Sequence, residues 1–318
     1  MSEKKDSRIL EVDGREIEIS NPDKIIFPQA EISKAELVEY YSRAAEHMLP
    51  YLQERPISMQ RYPDGIGEAG FYQKELPEHF PEWIDSVEVE LKEGGSQLQV
   101  VCSNRATLVY LADQACLTPH VWLSRAGDLD RPDRMIFDLD PPAEDPGEAF
   151  RAVRQAARRL QDLLGALDLN PLLMLTGSTG LHVVVPLEPE AEFDTVREFT
   201  QDVASMLVEA YPEELTVARR KERRRGRVFI DTARNAYAQT AVPPYAVRAR
   251  PGAPVAVPLD WDELSASDLS PGSYSIQNIF RRLAQKVDPW ADFIDRAAPL
   301  SRAVKRLDEA AGLDKLES

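Results

Sequence analysis

Cysteine is almost absent from this sequence, which has only Cys102 and Cys116 among its 318 residues. Their spacing fits no zinc or redox motif, so the sequence predicts two buried thiols in a reducing compartment. Long apolar runs are also lacking, and segments such as Val183–Val185 are far too short to cross a bilayer. The charged N-terminus leads into no apolar signal segment. These absences predict a soluble, cytoplasmic protein with no membrane partner.

Positive charge is scarce as well. The chain has 38 Lys and Arg residues against 54 Asp and Glu residues, a formal net charge of -16. This balance argues against a general polyanion binder, so any contact with nucleic acid must use a local basic surface. The densest basic run extends from Arg219 to Arg227. Such a run is usually a solvated loop, but its place directly before a candidate active-site strand favours contact with a polyanion.

The secondary-structure pattern mixes hairpins with helices. Alternating segments flank the two-residue turns Asp13-Gly14 and Gly94-Gly95, which predicts two β-hairpins. Ser33 and Glu36 form a capping box at the start of a helix, and Asn104 is placed to cap a second helix. Because strands come in hairpins between helices rather than in strict alternation with them, we predict an α+β fold in one compact unit of one or two lobes.

The most informative segment is a strand that ends in two carboxylates. Asp138 and Asp140 alternate with apolar residues, so their side chains share one face with Cα atoms roughly 6.5 Å apart. Pro141-Pro142 ends this strand, and a second apolar strand ends at Asp231. Like charges side by side favour divalent cations, and a third ligand would complete a two-metal site. The alternative is that these residues are solvated strand ends, which would be preferred for a lone Asp-x-Asp.

A second candidate element is the turn between the apolar strands at 172–175 and 181–187. Its hydroxyl and glycine residues, among them Thr176 and Ser178, allow backbone N–H groups to approach phosphate oxygens. His182 follows and can donate to a phosphate or act as an acid. No Gly-Lys-Ser/Thr sequence follows, so this is not a Walker loop. The alternative, a plain hairpin turn with a core histidine, is about equally favoured on this stretch alone.

Basic and histidine side chains supply a third element. Tyr245 to Arg250 has the pattern of a strand with Arg248 and Arg250 on one face, and two guanidinium groups there suit a triphosphate. The alternative is an exposed strand face that happens to be basic. His120 is a weaker candidate, because a lone histidine is more often structural.

Together these segments resemble the polymerase domain of bacterial ligase D, a branch of the archaeo-eukaryotic primase superfamily. The resemblance runs from Asn21 to Phe293 and is strongest over 129–142, 180–183 and 241–258. It implies an α+β primase-polymerase core with antiparallel and mixed sheets flanked by helices. It also implies one catalytic domain over 1–318, whose possible lobes are a DNA-end and template-binding part to about 118 and a catalytic core over about 119–290. A helical tail would follow over 291–318.

The resemblance assigns roles residue by residue. Asp138, Asp140 and Asp231 would be catalytic and would bind two Mn²⁺ or Mg²⁺ ions. The residues implied around the nucleotide are His120, near the sugar, and Thr176, Ser178, Thr179, His182, Arg234, Arg248 and Arg250. The residues implied at DNA are Asn21, Lys24 and Lys34 at a 5′-phosphate, Phe71 and Tyr72 at a template base, and Arg61 and Lys74. Three positions depart from the family's usual residues: Thr179 and Gln239 stand in place of lysine, and Tyr72 in place of phenylalanine.

The expected function is template-dependent addition of nucleotides, preferentially ribonucleotides, at gaps or broken DNA ends with a 5′-phosphate. NTP and dNTP are the expected small substrates, and Ku and a separate DNA ligase the expected partners near the nucleoid. No Lys-x-Asp-Gly ligase motif occurs, so ligation would come from another protein. Two alternatives remain: a metal-dependent phosphodiesterase, and a non-catalytic module that bridges DNA ends.

Overall fold

The computed structural model of the protein describes residues 7–91, 94–142 and 146–317. The strands are, in chain order, β1 (Ser7–Val12), β2 (Arg15–Ser20), β3 (Ile25–Phe27), β4 (Ile32–Ser33), β5 (Ile57–Arg61), β6 (Phe71–Gln73), β7 (Ser86–Glu90), β8 (Ser96–Val100), β9 (Cys116–Trp122), β10 (Ser124–Arg125), β11 (Asp128–Pro132), β12 (Arg134–Asp140), β13 (Leu172–Leu175), β14 (Leu181–Pro186), β15 (Leu215–Thr216), β16 (Val228–Asp231), β17 (Thr240–Ala241) and β18 (Val257–Leu259). The α-helices are α1 (Lys34–Leu52), α2 (Arg105–Asp113), α3 (Pro146–Ala166), α4 (Phe193–Ala210), α5 (Lys221–Arg224), α6 (Ile279–Leu283) and α7 (Leu300–Glu317). Short 3-10 helices lie at Pro28–Ala30, Ala233–Asn235 and Trp261–Ser265.

The chain forms two compact units, and each is built from more than one stretch of sequence. The first unit takes residues 1–127, 240–256 and 274–286, and the second takes 128–239, 257–273 and 287–318. No helix in the described part of the chain is long and apolar enough to span a membrane. Helices combine with mixed and antiparallel sheets, which confirms the predicted α+β fold.

The second unit is organised by a six-stranded sheet in the order β15-β16-β12-β14-β13-β18. Its pairs are antiparallel except β15 with β16, which run parallel. The inner strands β12, β13 and β14 are almost wholly buried. Helix α3 packs on β12, β14 and β16, and α4 packs on β12. Both helices are amphipathic and bury their apolar residues, and the central strands of the sheet carry long apolar runs.

The first unit contains the four-stranded antiparallel sheet β17-β9-β5-β6 and three two-stranded pairs. The predicted hairpin around Asp13-Gly14 is confirmed: both residues have positive φ, 50° and 74°, as a two-residue turn of type I′ requires. The capping box is also confirmed, since the Ser33 and Glu36 side chains exchange bonds with each other's backbone amides. Asn104 caps α2 by accepting a hydrogen bond from Thr107 N–H at 2.8 Å.

One predicted strand is wrong. Residues 245–250 form a turn with a single bridge, Val247 to Val255, and not a strand that sets Arg248 and Arg250 on one face. Tyr245 has φ 65°, which a strand cannot accommodate, and the Arg250 amide bonds the Arg248 carbonyl at 2.7 Å within the turn. Tertiary hydrogen bonds decide the conformation here, because Val247 is held by the Tyr41 hydroxyl and by Thr118. The predicted helical tail has turns to residue 296 and a β-bridge at Ala298, and its helix begins at Leu300.

Candidate active site

Three carboxylates lie together where β12 and β16 end. Asp138 and Asp231 are directly opposite each other in the antiparallel register of these strands. Asp140 follows Asp138 by two residues and so lies on the same face of β12, opposite Phe229. All three side chains are half-buried. The structure therefore places the three predicted metal ligands on one face of the β12–β16 pair.

A buried asparagine that the sequence did not single out fixes this register. Asn235 is fully buried, and its amide exchanges hydrogen bonds with the Ile136 N–H at 2.8 Å and the Ile136 carbonyl at 2.7 Å. Its side chain thus continues the β12–β16 pairing beyond the last backbone bond. The only hint in the sequence is a polar residue four positions after Asp231. That hint is too common to be informative without the fold.

Each carboxylate already has a protein partner. The His182 Nε2 lies 3.5 Å from Asp138, and the Arg224 guanidinium lies 3.5 Å from Asp140. The Ala233 amide donates to Asp231 at 2.8 Å. These donors offset part of the repulsion among three acidic groups. A cation that binds these carboxylates would have to displace some of these protein contacts.

Burial raises the pKa of the Asp140 carboxyl above its ordinary value. The neighbouring Asp138 and Asp231 charges raise that pKa further, whereas Arg224 and His182 lower it. The net direction is upward, so the ionised form of Asp140 is under electrostatic strain. A divalent cation would relieve this strain more completely than one guanidinium, since it carries twice the charge.

The donor set fits a hard divalent cation, because carboxylate oxygens are the ligands that Mg²⁺ and Mn²⁺ prefer. Within the described ranges, no group of three or more histidine, cysteine or acidic side chains is already drawn together as a metal cluster. Asp138 lies 3.5 Å from His182, and Asp140 lies 3.5 Å from Arg224. The carboxylates are suitable ligands for such a cation, but in this structure they contact protein groups.

The glycine-containing turn between β13 and β14 lies beside these carboxylates. Thr176 Oγ1 donates to the Gly180 carbonyl at 3.0 Å and accepts from the Ser178 amide at 3.3 Å. Gly177 has φ 65°, and a Cβ atom on Gly180 would lie 2.1 Å from the Leu139 carbonyl oxygen. Only glycine therefore permits β14 to approach β12 between Asp138 and Asp140. Thr176 is buried, Ser178 is half-buried and Thr179 is exposed.

His182 is buried and pairs in register with Asp138 across β14 and β12. Its Nδ1 atom is buried without a hydrogen-bond partner among the described residues. Buried polar atoms in native proteins nearly always have partners, so an unpaired ring nitrogen beside a carboxylate cluster is typical of a ligand site.

Arg224 is a site residue that the sequence did not single out within its basic run. Its guanidinium lies 4.0 Å above the Phe229 ring and contacts Asp140. Arg227 instead bonds carbonyls of Pro212, Arg223 and Arg224, so it stabilises the loop. Arg219 and Arg220 are exposed, and Arg234 is half-buried in the 3-10 helix after Asp231. The run therefore mixes structural arginines with exposed ones.

The remaining nucleotide candidates lie in the first unit. The His120 ring is 8% exposed and contacts the Tyr72 ring, with centroids 5.5 Å apart. Thr118, two residues earlier on the same face of β9, bonds the Val247 carbonyl and so holds the turn that carries Arg248 and Arg250. Arg248 is half-buried and Arg250 is exposed. The first unit thus brings His120, Tyr72 and this turn to one region of β9.

The predicted phosphate-binding turn is formed by residues 21–24, which line a cavity of about 380 Å³. Asn21 has φ 47°, and the Lys24 ammonium contacts the exposed Asp64 at 2.6 Å. The first backbone amides of α1 are already used, since Lys34 and Ala35 donate to the Lys24 and Pro22 carbonyls. A phosphate here would be bound by side chains of the turn rather than by the helix N-terminus.

The predicted base-stacking residues lie on the edge strand β6. Phe71 and Tyr72 are 47% and 59% exposed, which is unusual for large aromatic side chains. The Arg61 guanidinium lies 5.7 Å from the Phe71 ring centroid, and Lys74 is exposed beside them. Exposed aromatic rings flanked by cations are typical of surfaces that stack nucleic-acid bases.

The α+β core matches the primase-polymerase class, whose members are DNA-directed nucleotidyltransferases. The chain belongs to the family described as LigD, primase-polymerase domain, whose model matches residues 33–290. Polymerase domains of this family are metal-dependent.

Similar proteins support this assignment. The multifunctional non-homologous end joining protein LigD of Pseudomonas aeruginosa is 33% identical over 292 residues, covering 91% of this chain and 34% of that protein. The bifunctional LigD of Bacillus subtilis is 31% identical over 294 residues, covering 92% of this chain and 46% of that protein. The chain therefore spans less than half the length of these relatives. The polymerase domain of Mycobacterium tuberculosis ligase D in complex with DNA matches with TM-score 0.82 and 28% identity, covering 89% of this chain and 99% of that one.

Proposed function

We propose that the chain adds nucleotides, preferentially ribonucleotides, to a primer strand at gaps or broken DNA ends. The observation that carries this proposal is the register of Asp138 with Asp231, with Asp140 on the same face and the Thr176–Gly180 turn beside it. Three carboxylates on one face of two paired strands could hold the pair of metal ions that in-line nucleotidyl transfer uses. A neighbouring turn that can receive phosphate oxygens supplies the second requirement.

Two Mn²⁺ or Mg²⁺ ions held by the three aspartates would lower the pKa of the attacking 3′-hydroxyl and neutralise the leaving pyrophosphate. The protein's own groups would position the reactants. Ser178, the exposed Thr179 and the turn amides would contact the triphosphate, and His182 would donate to it from a buried, oriented ring. Arg234, Arg248 and Arg250 would balance its charge. A triphosphate would also compete with Asp140 for the Arg224 guanidinium, because both groups are guanidinium acceptors.

Sugar selection is assigned to His120, whose ring is buried against Tyr72. A buried group that hydrogen-bonds a hydroxyl penalises the analogue that lacks it, because the group is left unpaired. The ring of Tyr72 would restrict the orientation of His120 and also offer a surface to a template base. We therefore expect both residues to affect the ratio of ribonucleotide to deoxyribonucleotide use.

DNA would be bound by the first unit. Asn21 and Lys24 would contact a 5′-phosphate, with Lys34 behind them, and Phe71 would stack on a template base. Arg61 and Lys74 would contact the adjoining backbone. The relatives are named as non-homologous end joining proteins, so we place this activity in that pathway or in gap filling near the nucleoid. Ku and a separate DNA ligase would be its partners.

The test is primer extension on a gapped duplex with a downstream 5′-phosphate, comparing NTP with dNTP and Mn²⁺ with Mg²⁺. Asp138→Ala and Asp231→Ala should abolish nucleotide addition while retaining the melting temperature. Asp202→Ala, an exposed aspartate on α4, is the matched control and should keep full activity. Full activity of either site variant would refute the carboxylate assignment. A preference of the parent for dATP over ATP would refute only the sugar assignment.

Two alternatives predict different outcomes in the same assay. A metal-dependent phosphodiesterase would shorten the labelled primer and would not need a nucleoside triphosphate. A non-catalytic module that bridges DNA ends would bind the duplex but leave primer length unchanged with either metal. The candidate triphosphate contacts at the Thr176 turn and at Arg248 argue against the first alternative. The presence of all three aspartates argues against the second.

A further inference from the structure

A connected set of polar side chains surrounds the C-terminal end of α2. Asp113, the last residue of the helix, is buried and accepts hydrogen bonds from the Ser20 amide at 2.8 Å and the Ser20 hydroxyl at 3.2 Å. Gln114 donates to the second Asp113 oxygen at 3.1 Å. Ser20 and Asp113 thus join the end of strand β2 to the end of α2. We call Ser20, Lys34, Asp113, Gln114, Arg61 and Gln73 the corner network.

Lys34 is fully engaged in this network. Its ammonium group donates to the Ser20 hydroxyl at 2.8 Å, the Asp113 carbonyl at 3.0 Å and the Asp113 carboxylate at 2.8 Å. An ammonium group has three donors, and all three have acceptors at good distances. The side chain is 7% exposed and that of Asp113 is 4% exposed. Lys34 could bind a phosphate only by giving up one of these bonds, so its geometry suits positioning better than direct contact.

The network holds the candidate phosphate-binding turn from two directions. Ser20 directly precedes Asn21 and is fixed by Asp113. The Lys34 amide bonds the Lys24 carbonyl at 2.8 Å, which fixes the other end of the turn. Both ends of residues 21–24 are therefore tied to groups that meet at Asp113. A buried ion pair whose hydrogen bonds are all made has one favourable arrangement. The Lys34–Asp113 pair therefore fixes the position of both ends of the turn.

A second arm reaches the exposed aromatic strand. Arg61 donates from Nε to the Gln114 backbone carbonyl at 2.8 Å, from Nη2 to the Gln114 side-chain oxygen at 3.5 Å, and from Nη1 to the Gln73 side chain at 2.6 Å. Gln73 is the last residue of β6, and Phe71 on the same strand lies against the Arg61 guanidinium. Gln114 therefore lies between Asp113 and the arginine that supports the aromatic surface. One continuous path joins the Asn21–Lys24 turn to Phe71.

We propose that Asp113 and Gln114 are positioning residues that couple the phosphate-binding turn to the base-stacking strand. When the turn holds the 5′-phosphate of a DNA end, Phe71 would then bind the unpaired template base more tightly. Binding of that base at Phe71 would in turn strengthen binding of the 5′-phosphate. The proposal rests on the DNA-end binding proposed above. In this structure the Lys34 ammonium belongs to the corner network, and it would reach a phosphate by exchanging one of its bonds there. Coupling of this kind would favour a phosphorylated end with an overhang over either feature alone.

The test is a double-mutant cycle on DNA affinity, measured by fluorescence anisotropy at fixed ionic strength. The probes are duplexes with a recessed 5′-phosphate or 5′-hydroxyl and a 3′ overhang. In the parent, the losses caused by Lys24→Ala and Phe71→Ala should deviate from additivity by about 3-fold or more. In a Gln114→Ala background the two losses should become additive, and the preference for 5′-phosphate should fall by a similar factor. Gln53→Ala, an exposed glutamine after α1, should retain the parent's coupling.

Asp113→Asn should show a larger loss of coupling than Gln114→Ala. Because it leaves the Lys34 charge buried without its partner, it also destabilises the corner network, so its melting temperature is measured alongside. Gln114→Ala removes no charge: it removes the side-chain bonds to Asp113 and to Arg61 Nη2 but keeps the backbone carbonyl that Arg61 Nε bonds, so it tests the side-chain route of the coupling. Unchanged coupling in Gln114→Ala, or additive losses in the parent, would overturn the inference. A parent that binds both duplexes equally would instead refute the 5′-phosphate part of the proposed function. If such a parent still extends primers, only the 5′-phosphate part of the proposed function is wrong. If it does not extend primers, the proposed function as a whole is wrong.

Discussion

Gly180 offers the sharpest test of the site, because a single methyl group there acts on both candidate metal ligands of β12. In Gly180→Ala the new Cβ would lie 2.1 Å from the Leu139 carbonyl oxygen, whereas ordinary contact begins near 3.4 Å. The clash is with backbone, which cannot rotate away as a side chain could. Strands β12 and β14 would have to separate by more than ~1 Å at the point where Asp138 and Asp140 flank Leu139.

The expected consequence is a large loss of activity with a smaller loss of stability. Misplacement of reacting groups by about 1 Å costs on the order of 100-fold in rate. Overpacking of this kind costs about 1–3 kcal/mol of folding free energy, which the remainder of the sheet can absorb. Primer extension and thermal melting on the same preparations separate the two effects.

A matched control is available in the same unit. Gly165 lies in α3 with nothing within 4 Å of an added Cβ atom. Gly165→Ala makes the same chemical change and should raise stability by roughly 0.5–1 kcal/mol, because alanine favours the helix. It should leave activity unchanged. If Gly180→Ala extends primers as well as the parent does, the carboxylates do not depend on this strand spacing and the site geometry argued above is wrong.

Three further predictions follow from the same site and core. Asp140→Asn should melt at a higher temperature than the parent at neutral pH without divalent metal. The native state raises the pKa of Asp140, so ionisation of this carboxyl lowers the free energy of unfolding as pH rises. The difference in melting temperature between variant and parent should therefore shrink as pH falls towards ~3.9. A variant that melts below the parent at neutral pH would contradict this. Asn235→Ala should cost about 1–3 kcal/mol in denaturant melts, because both Ile136 backbone groups lose a buried partner, and a smaller change would show that water replaces the amide. Burial raises the pKa of the Cys116 thiol to about 12, so it should resist thiol reagents until the protein unfolds, and rapid labelling of the native protein would refute its burial.

Local pattern was sufficient for the elements whose conformation depends on neighbours in sequence. The Asp13-Gly14 hairpin needs two residues of positive φ, and the helix at Ser33 needs a capping box, so both could be identified from a few residues. The alternation that ends at Asp138 and Asp140 likewise predicted β12 and its face. The clash at Gly180 could not be predicted, because its partner, Leu139, is distant in sequence.

The prediction failed where a segment takes its conformation from other parts of the chain. The pattern of Tyr245 to Arg250 resembles a strand, but bonds from Tyr41 and Thr118 hold it as a turn. The partners of Lys34 in the fold could not be predicted either, because Asp113, which accepts two of its hydrogen bonds, lies 79 residues further on. Hydrogen-bond partners at such separations leave no trace in local periodicity.

By itself, the sequence determined the candidate side chains for the proposed chemistry: three carboxylates that follow apolar strand residues, a turn of hydroxyl and glycine residues, and a few basic groups in an acidic chain. Tertiary structure alone decided how they are arranged. The antiparallel register sets Asp231 opposite Asp138, Arg224 folds back on Asp140, and the Asp113 corner network takes in Lys34. The physical reason is that strand alternation is a local property of the backbone, whereas register, ion pairing and burial depend on which distant segments pack together.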